Sequence, residues 1–185
     1  MSGYDLPTSA TIGGREYEIR SDYRAVLDVM QVMADKEVED DERAMLVLAI
    51  FYPAWRTIPS DDLQEAVKWM YWFIGGGGDE AQKKPKKKPR LMDWTQDFPL
   101  IVAPVNHVLG YEIRSVKYLH WWTFLAAYQE IGDCLFAQVV SIRKKRATGK
   151  KLDKQDQAFY RENADLVDLR IEETDAEKEI LDAWM

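Results

Sequence analysis

At 185 residues the chain can bury one substantial core, as a single domain or a domain with a tail. A hydrophobic fraction of 46% with 12% aromatic residues excludes wholesale disorder. The net charge of −7 argues against general binding to nucleic acid or anionic membranes, and one cysteine, Cys134, leaves no internal disulfide to form.

The start, Met1-Ser-Gly-Tyr-Asp, lacks the basic and apolar regions of a signal peptide. No apolar run approaches the roughly 20 residues of a membrane-spanning helix. A cytosolic protein without a membrane partner is expected.

Residues 11 to 20 alternate apolar and polar around Gly13-Gly14, which predicts a β-hairpin with Ile12, Tyr17 and Ile19 on its apolar face. A lone hairpin is marginal in water, so it must lie on the helices that follow. Ser21 or Asp22 can cap the first of these, where Ala25, Val26, Val29, Met30 and Met33 recur at helical spacing. Asp35 to Glu42, rich in acids, reads as a solvated turn before a second helix near Glu42 to Tyr52 that Pro53 stops.

Ser60 opens the clearest helix, with Leu63, Ala66, Val67, Met70, Phe73 and Ile74 forming one continuous stripe. Trp69 lies near the edge of that stripe and Trp72 roughly opposite, counting about 100° per residue. Gly75 ends this helix. Trp72 is thereby a candidate for protein binding, since its helix has a complete core stripe without it and tryptophan is enriched at binding hot spots. The alternative is that it packs on the second half of the chain.

Residues 76–91 read as a flexible basic linker: glycines, then Lys83, Lys84, Lys86, Lys87, Lys88 and Arg90 interrupted by prolines. It separates an N-terminal part, residues 1–75, from a C-terminal helical part, residues 92–185. Whether the two share one core stays open. The basic run contains no aromatic residue for base stacking and reads first as a solvated linker, so nucleic acid is not an expected partner.

Asp93 to Leu109 is expected to be helical, with a kink at Pro99 or Pro104. Ser115 is expected to cap an aromatic helix that runs to Ile131 and is apolar nearly all round, holding Leu119, Trp121, Trp122, Phe124 and Tyr128. Such a helix is central to a bundle or covered by a partner. Trp121 and Trp122 point about 100° apart, so one can pack inside while the other reaches a neighbouring face. Asp133 to Gly149 predicts another helix, with Arg143 to Arg146 near its negative end, and Asp153 starts one more. Thr174 and Glu177 have capping-box spacing for a last acidic helix containing Ile180, Leu181 and Trp184. The fold class is therefore mainly α: an N-terminal β-hairpin followed by a multi-helix bundle with a flexible Gly/Lys/Pro linker in the middle.

Catalytic and metal templates fail in turn. Gly75 to Gly78 is followed by no Lys-Ser or Lys-Thr, so it is not a phosphate loop. The acidic stretch from Asp35 has Asp40 where a calcium loop turns on glycine and Leu46 where the bidentate glutamate belongs. His107, His120 and Cys134 make at most an incomplete zinc set, and His120 between Leu119 and Trp121 reads as a hydrogen-bonded packing residue. No cofactor, metal or catalytic residue is expected, and the protein reads as one built to bind another protein.

Asp22-Tyr23-Arg24 after a small hairpin, Met92-Asp93-Trp94 with Asp97, Leu119-His120-Trp121-Trp122-Thr123-Phe124, and Ile142-Arg143 together resemble a family of bacteriophage proteins. These are encoded between the tail tube and tape-measure genes of long-tailed phages of Gram-positive bacteria. The resemblance spans roughly residues 11 to 170 and is carried best by the aromatic block with the downstream Ile-Arg; the basic linker and Pro104 depart from it. It implies a tail assembly chaperone that coats the apolar, helical tape-measure protein, acts in the host bacterial cytoplasm, self-associates, and is absent from the mature virion. Proteins of this kind are often made in a short and a frameshifted longer form, and the resemblance assigns no catalytic residues. The alternatives are a structural minor tail or head–tail component, or a nucleic-acid adaptor acting through Lys83–Arg90. Protein-binding candidates are Trp69, Trp72, Trp121, Trp122 and Trp184.

Overall fold

A computed structural model describes residues 5–78 and 89–170. The residues from Lys83 to Lys88 and the predicted last helix with Trp184 lie outside that range. The fold is mainly helical with one small antiparallel hairpin, as the sequence predicts. Its elements are β1 (Ser9–Ile12), β2 (Arg15–Glu18), α1 (Tyr23–Ala34), α2 (Asp40–Phe51), α3 (Leu63–Ile74), α4 (Trp94–Leu109), α5 (Trp121–Gln129), α6 (Leu135–Ala147), α7 (Lys154–Glu162) and α8 (Ala164–Val167).

The residues fall into two compact units. The first holds the hairpin, α1 to α3 and Val105–Ile131; the second holds the chain after the linker as far as Pro104, and Gly132 onward. The division falls inside α4, whose helical conformation continues through both Pro99 and Pro104.

In the first unit, Gly13 and Gly14 take positive φ angles of 54° and 74°, the geometry of a two-residue hairpin turn. This pairs Ile12 with Arg15 and Ala10 with Tyr17. Ala10, Ile12, Tyr17 and Ile19 face inward and are buried. Asp22 caps α1, its carboxylate accepting from the Arg24 amide at 3.0 Å. The acidic stretch divides: Asp35 to Glu39 form the turn, and Asp40, Asp41 and Glu42 form the first turn of α2, where negative charge suits the helix dipole. α3 starts later than expected. Ser60–Asp62 form a 3-10 turn, closed by the Asp62 amide on the Pro59 carbonyl at 3.0 Å, before regular α-helix from Leu63. Ala66, Met70 and Phe73 of the predicted stripe are buried, and Leu63, Val67 and Ile74 are half-buried.

The aromatic helix also differs from expectation. It runs over Trp121–Gln129 only, and its cap is His120, not Ser115. Tertiary hydrogen bonds explain the shortening. The Asp22 carboxylate takes the Leu119 amide at 2.8 Å, while Tyr23 donates to the Leu119 carbonyl and Trp121 to the Ser21 carbonyl. These bonds hold Leu119 to Trp121 extended as a β-bridge to Asp22, so helix cannot begin earlier. The Ser115 hydroxyl instead closes a turn on the Glu112 carbonyl.

The second unit packs around Val139, Ile142 and Val167, with Leu100, Leu152, Phe159, Tyr160 and Leu166 half-buried against them. α6 begins at Leu135 rather than Asp133, because Cys134 is extended. Asp153 caps α7 by accepting from the Gln155 and Asp156 amides. Arg143, expected near the charged end of α6, is buried instead.

Candidate functional site

Trp69, Trp72, Trp121 and Trp122 of the first unit meet at the C-terminal end of α3. Trp121 is fully buried, stacks on Phe124 at 5.6 Å and donates its indole N–H to the Ile74 carbonyl at 2.9 Å. It therefore presents no surface. Trp122, one residue and about 100° round the helix, is half-buried. Its indole donates to the Phe73 carbonyl at 2.8 Å, and its ring stacks on Phe73 at 5.7 Å.

Trp72 is also half-buried. Its ring meets Trp122 edge-on at 5.5 Å and Trp69 at 5.2 Å, so it packs on the C-terminal sequence half instead of standing free. Trp69 stacks on Phe73 at 5.7 Å. The two indole donors that reach α3 end on carbonyls of its last turn, which a helix leaves without internal partners. The aromatic cluster thus caps α3 with side chains.

The residues predicted to start a flexible linker take part as well. The Gly76 amide donates to the Phe73 carbonyl and the Gly77 amide to that of Trp72. A Cβ on Gly77 would come within 2.6 Å of the Trp122 ring. Arg90, the one basic-run candidate within the described residues, is exposed and ion-paired with Asp93.

His120 organises the entrance to α5. Its Nδ1 accepts from the Trp122 amide at 3.0 Å, so Nε2 is left to donate to the Pro7 carbonyl at 3.0 Å. Burial lowers its pKa below the ordinary histidine value, against the Pro7 hydrogen bond. His120 is thus a hydrogen-bonded packing residue, as expected, and its burial favours the neutral ring.

Beside Trp122 lies an open groove of about 440 Å³. Thr123, Ala126 and Ala127 form a floor of small side chains on α5, while Leu6, Val108, Leu109 and Trp122 form its apolar walls. Among the described residues, Glu130 is the one charged residue lining it. Leu6 and Val108 are 50% and 41% exposed, so the apolar surface faces solvent. A floor of threonine and alanine at helical spacing lets another helix approach closely. A larger cleft of about 810 Å³ is rich in charged residues, among them Glu16, Glu18, Arg20, Asp22, Arg24 and Asp28. Its arginines are already engaged: Arg20 on the Ala49 and Ile50 carbonyls, Arg24 on Asp22 and the Ile113 and Val116 carbonyls.

Two electrostatic clasps had no signal in hydrophobic periodicity. In the first unit Asp22 and Arg24 tie the start of α1 to the segment ahead of α5. In the second, Asp97 and Arg143 form a buried bidentate pair. Arg143 also donates to the carbonyls of Leu91, Leu166 and Val167. Among the described residues, no group of three or more His, Cys, Asp or Glu side chains could hold a metal ion, and no helix is long and apolar enough to cross a membrane.

Hairpin, helices, aromatic cap and clasps define a small helical protein whose distinctive surface is an apolar groove. The family model described as Bacteriophage Gp15 protein matches residues 4–169, and the chain belongs to that family of bacteriophage proteins. No curated protein and no solved structure matches the chain.

Proposed function

We propose that this chain is a tail assembly chaperone that binds the tape-measure protein and keeps it soluble during tail assembly in the host cytoplasm. The observation that carries the reading is the groove between Trp122 and Val108 on a protein of a bacteriophage family. An apolar, helical client loses water contacts when its stripe enters such a groove, and the acidic exterior keeps the complex in solution. One groove covers only a short stretch of a long client. Many copies bound along it, with self-association between neighbours, supply the avidity that coating requires.

The test is co-expression with the tape-measure protein followed by co-purification, beside analysis of mature particles. The chaperone reading expects co-purification that Ala126→Glu abolishes, and expects the protein to be missing from purified virions. Stoichiometric recovery from mature particles would instead establish a structural tail or head–tail component.

A further inference from the structure

One imidazole ring joins two walls of the apolar groove. Leu6 and Trp122 stand on segments far apart in sequence, and His120 is bonded to the backbone at both. Its Nε2 donates to the carbonyl of Pro7, the residue next to Leu6, and its Nδ1 accepts from the amide of Trp122 itself. Pro7 and His120 are buried, whereas Leu6 projects into the groove half exposed. The Thr8 carbonyl takes the Ile19 amide, so this short N-terminal strap is tied to the hairpin on one side and to His120 on the other. The ring also meets Phe73 edge-on at 5.5 Å and Trp122 edge-on at 6.0 Å.

This arrangement accommodates one protonation state. The neutral tautomer with its hydrogen on Nε2 makes both bonds, but an imidazolium has a hydrogen on each nitrogen and turns a second donor towards the Trp122 N–H. That amide lies in the first turn of α5, where no helical carbonyl can replace the lost acceptor. The charged residues on the elements around the ring are Asp5, Asp22, Arg24, Glu65 and Lys68. Asp22 and Arg24 pair with each other, and the other three are exposed. Glu130 lines the groove, and His107 is exposed on α4 next to the Val108 wall.

We infer that His120 positions the Leu6 and Trp122 walls, so that the groove takes its client while the ring is neutral and releases it when the ring gains a proton. The inference rests on the reading of the groove as the client site. His120 lines no part of the groove and acts through Pro7 and Trp122. Linkage makes the effect reciprocal: a client that requires the neutral ring must oppose its protonation by the same factor.

The probe is the tape-measure protein, bound to the full-length chain between about pH 8 and pH 5. Affinity should fall about tenfold as His120 protonates, since a buried donor loses its acceptor. His107→Gln should keep that profile. His120→Asn, which retains an acceptor for the Trp122 amide and does not titrate, should bind with a flat one. In the chain without client, the amide resonances of Leu6 and Trp122 should shift together with the His120 ring, and added client should lower the midpoint of that titration. The inference is overturned if the acid loss persists in His120→Asn, which would assign it to Glu130 or to the client, or if it disappears in His107→Gln. It is equally overturned if the parent unfolds over this range instead of releasing client, or if the two amides ignore the His120 titration. Ala126→Glu tests the underlying reading separately: undiminished binding at about pH 8 would place the client outside the groove and remove the basis of the inference.

Discussion

Arg143 grips Asp97 through two parallel hydrogen bonds of 2.6 and 2.9 Å, with the side chains 4% and 0% exposed. Asp97 also accepts the Asp93 amide at 2.9 Å, so the carboxylate closes the start of α4 as well. Breaking a buried pair leaves an uncompensated charge, which destabilises by about 3–5 kcal/mol. Asp97→Ala and Arg143→Ala should each lose that much in denaturant unfolding. Arg143→Lys should recover little, because an ammonium cannot reproduce the planar fork or reach three carbonyls together. A loss below about 1 kcal/mol for all three variants would show that the pair is dispensable.

His120 makes a second prediction, in pH. Burial depresses its folded pKa below the ordinary value, so the folded state favours the neutral ring. The sign follows from linkage: the contribution is complete above the unfolded value of about 6.5 and is lost as pH falls through the folded pKa. His120→Asn keeps an acceptor for the Trp122 amide and removes the titration. The difference in Tm between the parent and this variant should therefore be flat above pH 7 and narrow or invert below it. A difference independent of pH from 5 to 8 would rule out the neutral-histidine role.

Trp121 and Trp72 should separate in a stability series. Trp121→Ala removes a fully buried ring and its hydrogen bond to Ile74, a change worth about 3–5 kcal/mol. Trp72 is half-buried and its helix retains Ala66, Met70 and Phe73 in the core, so Trp72→Ala should cost clearly less and unfold cooperatively. Its larger effect should be on co-purification of the client, since it supports the Trp122 wall of the groove edge-on. Equal losses of stability would place Trp72 in the core.

Much of the architecture could be read from local patterns. Gly13-Gly14 demanded a hairpin, Asp22 and Asp153 were legible as caps, and the stripe around Met70 located a core. What escaped depended on groups distant in sequence. The start of α5 is set by Asp22, 97 residues before Leu119, and no propensity at Ser115 reports that competition. Arg143 looked like one more cation at a helix end, because its partner Asp97 is 46 residues away. The groove was hidden for the same reason: Val108 and Ala126 belong to different helices, and Leu6 precedes the hairpin. The sequence showed that Trp121 and Trp122 face apart, but not that Trp122 is the outer one, nor that Phe73 and Gly77 are its partners.

Gly77 supplies the last test, because the glycine run reads as a linker and its beginning is packed. Its φ is +79°, and a side chain there would meet the Trp122 ring at 2.6 and 2.9 Å. The left-handed conformation alone costs a residue other than glycine about 1–2 kcal/mol. The collision adds to this, since Trp122 is fixed by its bond to Phe73 and cannot move away freely. Gly77→Ala should thus lower Tm and alter tryptophan fluorescence, while Gly78→Ala, with open space around it, should do neither. A displaced Trp122 also deforms a wall of the groove, so Gly77→Ala should weaken client co-purification although position 77 does not line it. If Gly77→Ala matches Gly78→Ala in stability, fluorescence and co-purification, the aromatic cap does not extend into the glycine run.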